Sequence, residues 1–220
     1  ICGFDLPAPM STVGSVVFLV MGAPLIRRMG PVRTLQLGAA CAGLGVLILA
    51  LPTVVSLAVA SFLIGVGYGP SPPAGSEILQ RHAPRRHRAL IFSVKQAGVP
   101  IGGVLAGLLL PAFADERWRY GLLVSAGLAA LSIVAVQPVR AAVDRQRDAG
   151  QRLSWRAFLS WSNLSAPVRA LAVSPALPPL TAAAFCFAVA QGVLFAFFVT
   201  FAVTELGLSL VTAGALFAVM

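Results

Sequence analysis

The sequence predicts an all-α fold, a polytopic transmembrane helix bundle, from three observations. Of the 220 residues, 58% are hydrophobic and 10% are charged, and the mean hydropathy is +0.90, whereas a soluble domain carries about 25% charged residues. Apolar stretches long enough to cross a bilayer recur along the chain. Successive connections between them alternate between many and few basic residues. The net charge of +9 does not indicate a nucleic-acid partner, because the charges form short runs and no continuous basic face.

The apolar stretches define the predicted helices. A spanning helix needs roughly 20 residues. Six nearly complete segments and a seventh that the chain end cuts short lie at about 6–26, 34–51, 53–79, 89–113, 120–139, 171–204 and 206–220. The sixth begins with a cluster of prolines in "SPALPPL", which predicts an entry turn or kink. Because the chain starts at Ile1 and ends inside an apolar segment, we expect it to be a piece of a longer protein.

The charges of the connections predict the orientation in the membrane. The first, third and fifth connections (27–33, 81–88 and 140–169) hold 3, 4 and 6 Arg or Lys residues, and the even-numbered ones hold 0, 2 and 0. The positive-inside rule therefore places the odd connections in the cytoplasm. Of 16 basic residues only Lys95 is a lysine, which is typical of a GC-rich bacterial genome. The expected location is a bacterial inner (plasma) membrane.

The 140–169 connection is long enough for structure of its own. Leu153, Ala157, Trp161 and Leu164 recur near helical spacing in "RLSWRAFLSWSNLS". This pattern predicts a short amphipathic helix on the membrane surface, with the tryptophan at the headgroup level. A disordered linker is the alternative interpretation.

A lysine lies inside the fourth apolar segment, in "RALIFSVKQAGVPIGGVLAGLLLP" (88–111). On a helix, Gly98, Gly102 and Ala106 form a stripe of small residues on which another helix can pack closely, and Lys95 shares that face. A basic side chain costs roughly 2.5–3.5 kcal/mol at the centre of a bilayer. We therefore predict that Lys95 borders a polar interior and that Gln96 shares this role. The alternative is a side chain that extends to the cytoplasmic interface.

Two further polar residues lie within apolar segments. Tyr68 occurs in "LIGVGYGPSPPAG", where glycines and prolines interrupt the helix, a pattern tolerated at membrane depth beside protein or a cavity. Gln191 has Phe187, Phe195 and Phe198 four and seven residues away. An apolar wall with one polar group suits a small-molecule site. A structural kink and ordinary aromatic packing are the respective alternatives.

Catalytic, metal and cofactor sites are not predicted. Both histidines, His82 and His87, lie in an arginine-rich connection and are interpreted as surface residues. Glu77 and Arg81 are four residues apart and are expected to pair. The three cysteines have no metal-ligand spacing. An integral-membrane enzyme, which needs positioned acids, bases or nucleophiles, and a non-transporting scaffold remain as alternatives to a transporter.

The first connection carries the strongest family resemblance. "GAPLIRRMGPVRTL" (22–35) resembles the loop between the second and third helices of the major facilitator superfamily, commonly G-P-L-A-D-R-x-G-P-R-R. The matching positions are Pro24, Leu25, Arg28, Gly30, Pro31 and Arg33. Ala23 replaces the first glycine and Arg27 replaces the acid that the family uses in conformational gating. "SFLIGVGYG" (61–69) and "GVPIGGVLAG" (98–107) are similar to the family's fourth and fifth helices.

The resemblance implies a partial transporter fold. Residues 1–139 would form the N-terminal transmembrane half without its first helix, 140–169 the central cytoplasmic loop, and 170–220 the start of the C-terminal half. It implies a secondary active or facilitative transporter of a small solute that works by alternating access and is not an enzyme. Expected partners are the solute and the lipid bilayer, and the oligomeric state stays open. The gating loop would contain Arg27, Arg28, Gly30 and Arg33.

The interior polar residues suggest the chemistry of the solute. Lys95, Gln96, Tyr68 and Gln191 are the predicted substrate-binding residues. A lysine without an acid at similar depth favours an organic or inorganic anion. Proton coupling usually needs an interior Asp, Glu or His, and Asp5, Glu77 and Glu205 lie near segment ends, so the coupling ion is not predicted.

Overall fold

The fold is helical throughout the part of the chain that the computed structural model describes, which is residues 7–109, 113, 118–148, 150 and 158–219. This confirms the predicted all-α class. The helices, in chain order, are α1 (Pro7–Met21), α2 (Ala23–Met29), α3 (Pro31–Ile48), α4 (Val54–Tyr68), α5 (Ser71–His82), α6 (Arg88–Leu109), α7 (Trp118–Val143), α8 (Trp161–Leu164), α9 (Ala166–Leu171), α10 (Leu177–Thr204) and α11 (Leu210–Val219). Short 3₁₀ turns occupy Arg85–His87 and Asp144–Gln146.

Five helical stretches are long and apolar enough to cross a membrane. They are Pro31–Ile48, Val54–His82, Arg85–Ala106, Trp118–Gln146 and Leu177–Thr204. A sixth crossing results if α1 and α2, which meet at a bend of 64°, count as one broken span. These stretches correspond in order to the six apolar segments of the sequence, and α11 begins the seventh.

Helix boundaries follow local sequence signals. Thr53 caps α4: its side-chain oxygen accepts from the Ser56 N–H at 3.0 Å, and the Ser56 hydroxyl accepts from the Thr53 N–H at 3.2 Å. Such a reciprocal capping box satisfies two backbone donors at a helix start. The prolines of "SPALPPL" lie at the start of α10, where a missing N–H costs no helical hydrogen bond. The predicted entry turn is therefore present.

The described residues form two compact units, one within Ile1–Ile91 and Arg119–Leu164 and the other within Phe92–Trp118 and Ser165–Met220. In the first unit, α4 packs against both α1 and α3. In the second, α10 packs against α11. The domain boundaries expected at 139 and 169 do not correspond to this division and stay predictions.

Glycines allow the closest helix contacts of the first unit. A Cβ on Gly65 of α4 would meet the backbone of Ser11 in α1, and one on Gly38 of α3 would meet the Gly67 carbonyl of α4. The Ser15 hydroxyl adds a hydrogen bond of 3.0 Å to the Gly65 carbonyl. This is the small-residue packing that brings membrane helices together.

The small stripe of α6 has a different environment. Within its unit, no described atom lies within 4 Å of a Cβ built on Gly98, Gly102 or Gly103. The close helix contact expected there is therefore not observed, and the first unit has it at other glycines. The spacing of small residues alone cannot distinguish the glycines of α6 from those of the first unit. A stripe of small residues permits close approach, but a close contact forms only where another helix packs against the stripe.

The connection after α7 is only partly described. Residues 151–157, which carry half of the predicted amphipathic helix, lie outside the described residues. Trp161 begins the single helical turn α8 and is 81% exposed. The Asn163 amide donates to the Val20 carbonyl at 3.3 Å and to the Phe158 carbonyl at 3.1 Å. The bond to Val20 attaches the connection to the end of α1.

Candidate functional site

The best-defined polar site is the turn between α2 and α3, where the family-like motif lies. Gly30 separates the two helices with φ 88° and ψ 158°, a conformation that is essentially restricted to glycine. Pro31 follows at the first helical position, and the buried Thr34 hydroxyl donates to the Gly30 carbonyl at 2.7 Å. The glycine and proline of the motif therefore set the turn between α2 and α3.

Asp144 closes this turn from a distant part of the chain. Its Oδ1 accepts a hydrogen bond from the Val32 N–H at 3.0 Å, and its Oδ2 accepts one from the Arg33 N–H at 3.1 Å. The carboxylate therefore caps the N-terminus of α3, where free N–H groups and the helix dipole favour negative charge. A Cβ on Gly30 would collide with this carboxylate, which gives the motif a second reason for glycine.

Further contacts hold the end of α7 beside the turn. The Asp148 N–H donates to the Arg27 carbonyl at 2.9 Å. Arg140 Nε lies 3.9 Å from Asp144 Oδ2, as an ion pair four residues apart. Arg27 itself is exposed, Arg28 and Arg33 are half-buried, and Gly30 is buried. The structure thus brings the four predicted gating-loop residues together and adds Asp144, which sequence reasoning missed.

A second polar contact joins α3 to α7. The Gln36 amide group donates to the Ile133 carbonyl at 2.9 Å and to Gln137 Oε1 at 2.8 Å. Gln36 is 4% exposed, and an unpaired donor at a buried position would be costly. Both hydrogens of its amide group have acceptors. Sequence reasoning missed this pair as well. The available signal was one glutamine in each of two apolar segments.

The predicted substrate residues are divided between the two units. Tyr68, the last residue of α4, is half-exposed in the first unit. It lines a cavity of about 390 Å³ together with Gln36, Ser71 and Ser132. This cavity lies among helices of the first unit, and Tyr68 is the only predicted substrate residue in its lining.

Lys95, Gln96 and Gln191 belong to the second unit. Lys95 is half-buried on α6, whereas Gln96 and Gln191 are exposed. In the described part of the chain, no hydrogen bond connects these three side chains to one another. The phenylalanines beside Gln191 have a packing role: Phe195 and Phe198 contact Phe217 of α11, with ring centroids 5.3 Å and 6.0 Å apart. That contact agrees with ordinary aromatic packing.

The remaining charged residues agree with surface roles. Arg81 Nη2 lies 2.6 Å from Glu77 Oε1, which confirms the predicted pair. The exposed His82 ring places Nδ1 3.1 Å from the Ile78 carbonyl, one helical turn earlier. These contacts are local to α5 and require no ligand.

The helices and the capped turn define a polytopic helical membrane protein with a family-type loop between its first two crossings. Residues 6–220 match the family model described as Major Facilitator Superfamily. The chain therefore belongs to this superfamily of membrane transporters. No individual curated protein and no solved structure gives a significant match.

Proposed function

We propose that the protein is a secondary transporter, active or facilitative, which moves a small solute across a bacterial inner membrane by alternating access. The observation that carries this proposal is the family match over 6–220, since the family transports solutes. The connections 27–33, 81–88 and 140–169 are cytoplasmic in this proposal, in agreement with their excess of arginine.

The proposed solute is an organic or inorganic anion. Lys95 carries the only charge between Ala89 and Leu109, and its position is about 10 Å along the helix from Arg88 at 1.5 Å per residue. It has no ion pair with a described residue. A half-buried cation without a partner among the described residues is suited to attract an anion, because pairing reduces the cost of keeping its charge away from water.

Asp144 has a proposed role in the gate. The family motif places an acid where this chain has Arg27, and Asp144 brings a carboxylate to the same turn. Its two hydrogen bonds to α3 and its ion pair with Arg140 support a rigid connection between the turn and the end of α7. In this proposal the turn and α7 move as one body during alternating access.

The test is uptake by the full-length protein in liposomes. A panel of radiolabelled organic and inorganic anions is compared with cations and neutral sugars of similar size, and empty liposomes supply the background. Saturable uptake of an anion, competed by the unlabelled anion, is the expected result. Uptake confined to cations or neutral solutes would contradict the anion assignment and leave the transporter assignment standing. Absence of uptake across the panel, with the protein folded, would contradict both.

A further inference from the structure

A cluster of arginines lines a cavity in the first unit. The cavity lies at the same end of this unit as the capped turn. The cavity has a volume of about 230 Å³ and is lined by Arg28, Met29, Arg33, Arg140 and Arg147. Three separate segments supply the arginines: the end of α2, the first turn of α3, and the end of α7 with the residues after it. An adjoining cavity of about 430 Å³ shares Arg140 and Arg147.

The nearby carboxylate does not neutralise this cluster. Both oxygens of Asp144 accept backbone hydrogen bonds from α3. Its distance of 3.9 Å from Arg140 Nε is too long for a hydrogen bond. Among the described residues, the Arg33, Arg140 and Arg147 guanidinium groups therefore form no hydrogen bond with this carboxylate, which is already bonded to the helix end. Like charges that line one small cavity repel one another, and an anion bound between them reduces that repulsion.

Among the described residues, the Arg33 and Arg147 side chains leave guanidinium donors unused. Arg33 Nη1 lies 3.4 Å from Gln36 Oε1, at the long limit for a hydrogen bond. The Arg147 side chain makes no hydrogen bond or ion pair with any described residue. Each guanidinium has five N–H donors in a planar arrangement that matches phosphate oxygens in pairs. The cavity is larger than the volume of several water molecules, which occupy about 30 Å³ each in the liquid. It can therefore hold a phosphate group.

We propose that this cavity, named here the arginine pocket (Arg28, Arg33, Arg140 and Arg147), binds a phosphate-bearing anion at the membrane surface. The ligand chemistry is a phosphate mono- or diester, from an anionic phospholipid headgroup or from free phosphate. Basic pockets at the ends of membrane helices hold phospholipid headgroups in this way. By bridging α2, α3 and the end of α7, a bound phosphate stabilises the capped turn.

The test measures binding by the delipidated full-length protein. Its thermal unfolding midpoint in detergent is followed during titration with phosphatidylglycerol, with phosphatidylcholine of the same acyl chains, or with inorganic phosphate. Stabilisation by phosphatidylglycerol alone identifies a headgroup site. Stabilisation by inorganic phosphate at similar concentration identifies a free-phosphate site. If neither phosphatidylglycerol nor inorganic phosphate raises the midpoint above the phosphatidylcholine control, the proposal is wrong.

Matched variants locate the binding. Arg147→Gln and Arg33→Gln should each weaken the anion's apparent affinity about tenfold, because each removes charge-assisted hydrogen bonds. Arg86→Gln removes an exposed arginine from the Arg85–His87 turn, outside the pocket, and should leave the affinity unchanged. The Arg147 variant should fold normally, since its side chain bonds to no described residue. Equal affinities in Arg147→Gln, Arg33→Gln and the parent protein would overturn the proposal, and so would equal losses in all three variants.

Discussion

The Asp144 carboxylate accepts a hydrogen bond from the backbone N–H of Val32 at 3.0 Å, although 112 residues separate the two in sequence. Both residues are buried, with Val32 1% and Asp144 5% exposed. The contact places a negative charge at the N-terminus of an 18-residue helix, where the helix dipole stabilises it. It thereby connects the family-type turn to the last crossing of the first unit.

Replacing Asp144 with alanine should destabilise the first unit. The Val32 and Arg33 N–H groups lose their acceptor, and the loss of a capping side chain or of a buried partner costs about 1–3 kcal/mol. Asp144→Asn should cost less, since one oxygen remains. The measurement is the thermal unfolding midpoint of the full-length protein in detergent. Asp148→Ala is the control, because the one described residue to which its side chain bonds is the exposed Gly150, through the N–H. A loss as large as that of Asp144→Ala would contradict the capping role.

Gly30→Ala should destabilise the protein more than Gly207→Ala. Both glycines have positive φ, 88° and 65°, which alanine adopts at a cost of about 1–3 kcal/mol. The Cβ at Gly30 would also collide with the Asp144 carboxylate, whereas no described atom lies within 4 Å of a Cβ at Gly207. The same unfolding measurement compares the two variants. If the two variants lose the same stability, backbone strain alone would explain why the motif has glycine at position 30.

Alanine substitutions at two helical glycines should have different effects on stability. Gly65→Ala forces α4 away from α1 and should lower the unfolding midpoint, whereas a Cβ at Gly102 meets no described atom of its unit within 4 Å. Gly102→Ala should be neutral or stabilising, since alanine favours a helix by about 0.8–1 kcal/mol over glycine. Folded yield by size-exclusion chromatography supplies a second measurement. A clear loss of stability in Gly102→Ala would support the close helix packing that the glycine spacing on α6 predicts.

Lys95→Gln should remove anion uptake in liposomes while leaving expression and folding unchanged. The variant keeps a polar side chain of similar length and loses the charge that the proposed anion needs. Lys95→Arg keeps the charge and changes its geometry, because guanidinium and ammonium groups bind anions differently, so partial uptake is expected. Parental uptake by both variants would show that Lys95 only extends to the membrane surface.

Cysteine labelling in intact cells should reveal the predicted orientation. Single cysteines at Arg86 and Arg147, in cysteine-free full-length protein, should be shielded from an impermeant maleimide until the cells are permeabilised. Cysteines at Trp118 and Leu206 should react in intact cells, because their connections carry fewer basic residues. The reverse pattern would overturn the orientation and, with it, the alignment of the connections to the family.

The local features of this protein were determined by the sequence alone. Spanning segments are readable because each helix satisfies its own backbone groups and meets lipid through its own side chains. The all-α class and the family followed from this pattern and from the motif at 22–35. The Glu77–Arg81 pair was predictable because it depends on local helix geometry alone: residues four apart on a helix are neighbours.

The contacts between distant segments were decided only by the tertiary structure. Asp144 reads in sequence as one acid among loop arginines, and its function as a cap exists because packing brings it to Val32. Gln36 and Gln137 form a hydrogen bond because α3 and α7 lie side by side at these two residues. Gly65 and Gly102 have equivalent sequence signals, yet among the described residues of their own units Gly65 meets a neighbouring backbone and Gly102 does not. Hydrophobicity and helical periodicity specify which face of a helix can pack, whereas the partner depends on how the helices assemble.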